Sequence, residues 1–307
     1  MTAGVHGKES FGIHAALLVT MAVWALNVTA LKWLAGATDV MLATTLRMLF
    51  CAAVLTAMLV LARQRFPRLR GRMLVLGVAS GLLMVYANQT LFSGAMELTT
   101  ASNAALILAL NPLLNAALEA LVFRKRLSAT FIGGALLAVA GVLMVVLTRA
   151  GAQFAGPSAG DVLVIASMFA FATGVLMLQR LSRETGAVAI NTFLYIVGAV
   201  ALLAHIALTL PAPLAQLQAL GWQVWTVIFF SGVVATALGG VAWARGVAAL
   251  GMGRAAVYMS WVPVLGVGFS ALLLGEQLTQ WHFFGMILVL SGTILCSARF
   301  QRPVSRQ

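Results

Sequence analysis

Asn111, Asn115 and Glu119 follow one another at intervals of four in an otherwise apolar run, a spacing that stacks their side chains on one face of a helix. Pro112 stands at the head of this stripe. It has no backbone N–H to give, so a carbonyl near position 108 loses its helical donor. Arg47 lies about seven residues into another apolar run, roughly 10 Å deep at 1.5 Å per residue. A guanidinium at that depth can grip a carboxylate with two hydrogen bonds, or run its aliphatic stem back to a polar surface. Tyr86, Asn88 and Gln89 form a third group, and Tyr258, Ser260 and Trp261 gather just before Pro263. Trp24 and Asn27, three apart, share a helix face. Rings with hydroxyl and amide neighbours suit a flat or amphipathic solute, although Tyr and Trp also serve packing and interfaces. Glu119 fits a coupling or gating role, or an ion pair with Arg124 or Lys125. The chemistry on offer is recognition of a polar solute; the competing use of each polar group is to join one helix to another.

Bond-making chemistry has no such support. There is no phosphate loop of the Gly-Lys-Ser/Thr kind, no His-Glu-x-x-His and no Gly-x-Ser-x-Gly elbow. His14, His205 and His282 stand without a partner at ligand spacing, so neither a metal nor another cofactor is expected. Cys51 and Cys296 each sit inside an apolar run as small hydrophobes and imply no disulfide. The chain reads as a non-enzyme.

The elements that must position these residues follow from composition. Of 307 residues, 62 % are hydrophobic and 8 % charged, and the mean hydropathy is +1.02. A water-soluble domain carries about a quarter charged residues, so lipid must cover this surface. Apolar runs bounded by charge, Pro or Gly predict ten spans, near 11–34, 41–61, 73–92, 102–122, 128–148, 160–179, 188–208, 221–243, 254–274 and 280–298. The first run follows Lys8 as a signal peptide would, but it is too long for a cleavable apolar core and is kept as a helix.

With the amino terminus placed in the cytoplasm, sixteen of the 19 Lys and Arg fall on the cytoplasmic side: Lys8, Arg63, Arg65, Arg68, Arg70, Arg72, Arg124, Lys125, Arg126, Arg180, Arg183, Arg245, Arg254, Arg299, Arg302 and Arg306. Only Lys32 and Arg149 face the other side, and Arg47 lies within a span. The outer loops carry Asp39, Glu97, Asp161 and Glu276. This bias predicts both termini inside, and it accounts for the net charge of +12 without nucleic acid.

A shift of 151 positions sets Ser80-Gly81 on Ser231-Gly232, Pro112 on Pro263, Leu127 on Leu278, Gly134 on Gly285 and Gly141 on Gly292. At a shift of 148, Gly12 falls on Gly160, Lys32 on Arg180 and Thr44 on Thr192. The predicted division is therefore a repeat over 1–149 and a second over 150–307, five spans each. Five is odd, so the second copy crosses in the opposite sense, and the corresponding loops differ accordingly: Arg124-Lys125-Arg126 is basic, Gly275-Glu276-Gln277 acidic. Inverted repeats of this kind hold a substrate near the midplane and alternate its access.

Trp24 in the opening span, Arg47 early in the second, Asn111-Pro112 and Val262-Pro263, and the Leu-Gly-Glu-Gln-Leu-Thr run at 274–279 before a Gly-studded last span together resemble the drug/metabolite transporter superfamily, EamA type. The likeness covers essentially the whole chain, with one departure: Arg124-Lys125-Arg126 stands where a Gly-Glu pair is usual. It implies an all-α integral membrane fold of ten helices, two inverted five-helix repeats around a central cavity with the last span of each half peripheral. It further implies a secondary active or facilitative transporter that exports small metabolites, amino acids first, across the inner (plasma) membrane. The substrate-binding residues expected on these grounds are Trp24, Asn27, Arg47, Tyr86, Asn88, Asn111, Asn115, Tyr258 and Trp261, with Glu119 for coupling or gating. The expected partners are the small-molecule solute and the lipid bilayer, and a monomer is the working expectation. The alternatives are a membrane enzyme on lipid or polyprenyl substrates, for which the loops lack His or Asp clusters, and a flippase.

Overall fold

The computed structural model describes residues 3–124, 127–149, 153–154, 158–181 and 187–297. Lys125, Arg126, Arg183, Arg299, Arg302 and Arg306, counted above in the charge bias, lie outside these residues. Within lipid every backbone polar group needs an internal partner, and a helix supplies it within one segment. The described chain is accordingly helical, apart from a two-residue antiparallel pairing of Thr148 with Phe154 and Arg149 with Gln153.

Among the described residues, nine helices are long and apolar enough to cross a membrane: Gly12–Ala37, Val40–Leu61, Arg72–Leu98, Ala101–Val122, Ala129–Leu147, Ala159–Met177, Val188–Thr209, Trp222–Leu250 and Val257–Leu274. The shorter apolar helix Gln280–Cys296 follows. These are called the first to tenth spans. The ten expected spans are matched one for one, and the third and eighth run on beyond their expected ends at 92 and 243. Glu97 is thus the penultimate residue of a helix, and Arg245 also lies in one, because helical hydrogen bonding outlasts the apolar run that betrays it. A short helix, Pro213–Ala219, lies in the connection after the seventh span.

The chain forms two compact units, each drawing on both halves of the sequence. One comprises residues 1–29, 100–158 and 238–307; it holds the fourth, fifth, ninth and tenth spans. Here the fifth and tenth spans lie against each other through their glycines. A Cβ on Gly134 would come within 2.7 Å of the Gly292 carbonyl oxygen, and one on Gly141 within 2.6 Å of that of Gly285. The relation is mutual, since a Cβ on Gly285 would meet the Gly141 carbonyl at 2.7 Å. The other faces of these spans carry exposed Leu136, Leu143, Phe283, Ile287 and Ile294, side chains suited to lipid.

The fourth span of this unit is held at its start by a residue from far along the chain. Gly275, at φ +67°, ends the ninth span in a left-handed turn, and Glu276 then accepts from the backbone N–H groups of Ala101 at 2.7 Å and Ser102 at 3.0 Å. The Ser102 hydroxyl donates to the same carboxylate at 2.5 Å. An anion at a helix start satisfies donors that have no partner in their own helix. The Leu-Gly-Glu run thereby acts as a turn and a cap.

The second unit comprises residues 30–99 and 159–237, and holds the second, third, sixth and seventh spans with the first part of the eighth. The second span begins at an N-cap, Asp39, whose carboxylate accepts from Leu42 N at 2.8 Å. The third and eighth spans each contain a π-helical stretch, Leu82–Ala87 and Phe230–Leu238. At the shift of 151 the first falls on 233–238, within the second; the repeated Ser-Gly pair precedes the first stretch and is included in the second. Thr236 hydroxyl donates to the Ser231 carbonyl five residues back, at 2.7 Å, along this wider turn. Gly81 lets the third span approach Leu194 and Val197 of the seventh, and Gly232 lets the eighth approach the backbone of Arg47 in the second. Matched glycines therefore make matched close approaches.

Candidate functional site

In the second unit, the side chain of Arg47 is only 2 % exposed. A cation that snorkels presents its head to a polar surface, so burial of this degree places the guanidinium in the interior instead. Because Gly232 has no side chain, the eighth span comes close enough for Ser231 Oγ to accept from Arg47 Nε at 2.6 Å. From the third span, Gln89 Oε1 accepts from Arg47 Nη2 at 3.2 Å. Gln89 Nε2 donates in turn to Asn88 Oδ1 at 3.1 Å, and Asn88 Nδ2 donates to the Ser167 carbonyl of the sixth span at 2.9 Å. Four spans thus contribute to one hydrogen-bonded chain, in which Arg47 stands between Ser231 and Gln89. Arg47 Nη1 is buried and has no hydrogen-bond partner.

Phe50 and Tyr86, each three residues from a member of this chain, make ring contacts in the same unit. Phe50, three residues on from Arg47, meets Trp225 and Phe229 edge-on, with ring centroids 6.3 and 5.8 Å apart. Tyr86 shares a 2.9 Å hydrogen bond with Nδ1 of His205, and packs with Tyr195 against Met48, Ala52, Val85, Ala199 and Leu202. Arg47, Asn88 and Tyr86, named from sequence, therefore gather in one unit. Ser231 and His205 are not among the substrate-binding residues expected from the sequence. The signal for Ser231 was its repetition as Ser80; nothing in the spacing pointed to His205.

The first unit contains the broken helices. The fourth span is interrupted between Leu108 and Asn111, and the ninth at Ser260, between Met259 and Trp261. The breaks stand at corresponding positions, one just before Pro112 and the other just before Pro263. The cause is the same at both: a proline four residues on has no N–H for the carbonyl of Leu108 or Met259. Ala109 and Leu110 donate instead to Leu106 at 3.2 Å and Ile107 at 3.0 Å, in tighter three-residue turns. Asn115 Nδ2 donates to the backbone carbonyl of Asn111, one turn back on the same helix face, at 2.9 Å. Asn111 Oδ1 is buried without a hydrogen-bond partner.

The remaining named residues of this unit are spread over its helices. Trp24 and Trp243 lie with ring centroids 5.8 Å apart, and Asn27 is half-buried one turn along from Trp24. Tyr258 hydroxyl and His14 Nδ1 form a short hydrogen bond, so a histidine isolated in the sequence has a tyrosine for company here as in the other unit. Trp261 is 47 % exposed, and Glu119 is half-buried two turns along from Asn111. Among the described residues, no group of three or more His, Cys, Asp or Glu side chains is placed to hold a metal.

The family model of the EamA-like transporter family matches the chain twice, over residues 11–147 and 158–298. Similar curated proteins include "Uncharacterized transporter YetK" of Bacillus subtilis (strain 168), 26 % identical over 98 % of this chain and 91 % of that protein. Another is the "Probable amino-acid metabolite efflux pump" of Salmonella typhimurium (strain LT2), 26 % identical over 90 % of this chain and 91 % of that one. A crystal structure covering 94 % of this chain and 98 % of its own superposes with a TM-score of 0.66 at 19 % identity, a likeness of fold.

Proposed function

We propose that this chain, which belongs to the EamA-like transporter family, exports small metabolites, with amino acids the leading class, across the plasma (inner) membrane. That it is a multi-pass membrane protein of a transporter family is given by the two family matches and the apolar helices. The direction and the solute class are the further step, taken from the name of the Salmonella relative, an amino-acid metabolite efflux pump.

The observation that carries the reading is the pair of helix breaks at corresponding positions of the two repeats, Leu108/Asn111 and Met259/Trp261. Discontinuous spans expose backbone groups at membrane depth, where they are tolerated if they meet solute, water or protein, and in transporters built from inverted repeats they mark the solute path. In this reading the repeats over 1–149 and 150–307 act as inverted halves in alternating access, and both termini are cytoplasmic. The driving force is the solute's own gradient or a coupled ion, and the chain works as a monomer. Asn111, Asn115, Tyr258, Trp261, Trp24 and Asn27 serve the solute in one unit, Arg47, Tyr86 and Asn88 in the other, and Glu119 takes part in gating.

The test is release from proteoliposomes loaded with the twenty amino acids, followed by mass spectrometry of the outer buffer. Faster loss of a subset than from protein-free vesicles is expected. Identical loss of all of them, with nucleobases and sugars released in their place, would transfer the function to another solute class.

A further inference from the structure

We infer that Arg47 is the centre of a carboxylate-binding site in the second unit, with Ser231 and Gln89 as the residues that hold its guanidinium in place. That the carboxylate belongs to a transported solute rests on the function proposed above; the site itself does not.

The inference begins from unmatched charge. A guanidinium has five N–H donors and no acceptor. In this structure Nε is used by Ser231 and Nη2 by Gln89, both through oxygens without formal charge, and Nη1 is buried with no acceptor at all. No carboxylate of the described residues lies within ion-pairing distance of Arg47, and its electrostatic neighbours are the Cys51 thiol and the Tyr195 hydroxyl. A buried cation in a membrane-spanning segment is costly, and the cost falls when an anion meets it with good geometry.

The rest of the geometry narrows the anion. Ser231 and Gln89 fix the plane of the guanidinium from two directions, and Gly232 fixes the backbone of Arg47 beneath it, so the free nitrogen is presented by a rigid support. A planar, singly charged carboxylate suits one planar guanidinium with a free edge.

Gln89→Glu separates this role from a merely structural one. It sets a permanent carboxylate where the amide oxygen now accepts and gives Arg47 an internal counter-ion, with the loss of the Gln89 Nε2 hydrogen bond to Asn88 Oδ1. The probes are acetate, acetamide and chloride at equal ionic strength, read as shifts in the thermal midpoint of the purified full-length protein. Acetate is expected to raise the midpoint of the wild-type protein in a saturable way that acetamide and chloride do not reproduce. Gln89→Glu, with its folding confirmed by a cooperative melt, is expected to need at least tenfold more acetate for the same shift. Arg47→Lys, which keeps the charge but loses the planar fork, should weaken acetate by a similar factor. Equal shifts with acetate and acetamide, or with acetate and chloride, in the wild-type protein would overturn the inference whatever the variants do. So would a folded Gln89→Glu protein that binds acetate as the wild type does. Loss of amino-acid release from vesicles with acetate binding intact would instead count against the transport reading alone.

Discussion

Arg124 and Gly275, 151 positions apart, occupy the same left-handed backbone conformation, at φ +51° and +67°. Each turns the chain at the end of a broken span, the fourth and the ninth, so the inverted repeat has kept the turn while changing the residue. A glycine adopts this conformation freely, whereas a side chain costs about 1 kcal/mol or more there. The departure noted in the sequence therefore begins with a side chain, that of Arg124, in a conformation that favours glycine. It also replaces with Lys125 the position that corresponds to Glu276, the carboxylate that caps the fourth span.

Arg124→Gly should accordingly stabilise the protein. Relief of the turn by about 1 kcal/mol corresponds to a rise of about 2 °C in thermal midpoint for a chain of this size. The side chain is exposed, so no packing is lost. A lowered midpoint in detergent would show that the arginine compensates its turn through a contact of its own.

The glycine contacts between the fifth and tenth spans lead to the opposite expectation. A side chain at Gly141 meets backbone, the Gly285 carbonyl at 2.6 Å and Val289 N at 2.9 Å, and one at Gly292 meets Ala138 N at 2.6 Å. Backbone cannot swing aside as a side-chain tip can. Gly141→Leu and Gly292→Leu should each lower stability by roughly 1 to 3 kcal/mol through overpacking, while the fraction that folds keeps its solute affinity. Calorimetry paired with a binding isotherm decides it: normal stability with lost binding would make these spans part of the solute path.

Much of this fold is legible in the sequence because lipid imposes simple rules. Apolar runs of about 20 residues locate the spans, and Pro112 and Pro263 locate the breaks, since each removes a specific backbone donor. The π-helical stretches Leu82–Ala87 and Phe230–Leu238 left no mark on the hydropathy, because they alter winding and leave composition alone. Arg47 stood out as a lone charge in an apolar run, but its partners did not. Ser231 lies 184 positions away and reaches Arg47 only because Gly232 permits the approach. The histidines were misleading in the same way: helix spacing leaves His14 and His205 solitary, and lateral packing brings Tyr258 and Tyr86 to them. What one helix dictates could be read from the sequence; what depends on two helices meeting could not.

The orientation proposed from the positive charge bias is open to a direct check. Cys51 and Cys296 are both buried, so a cysteine introduced on the surface reports alone. Gln218, exposed on the short helix Pro213–Ala219, is the position to use. In intact cells Gln218→Cys should react with a membrane-impermeant maleimide added outside. Protection until the membrane is broken would reverse the assignment and place both termini outside.

The most direct measurement is solute flux through Arg47→Gln compared with wild-type protein, in proteoliposomes matched for protein content. A buried hydrogen bond to a charged group contributes on the order of 2 kcal/mol, more than tenfold in affinity. With the variant folded, as judged by its thermal midpoint, flux of carboxylate-bearing amino acids at sub-saturating concentration is expected to fall at least tenfold. Unchanged flux through a well-folded Arg47→Gln protein would contradict the assignment of Arg47 to the solute path and leave its charge a structural feature of the second unit.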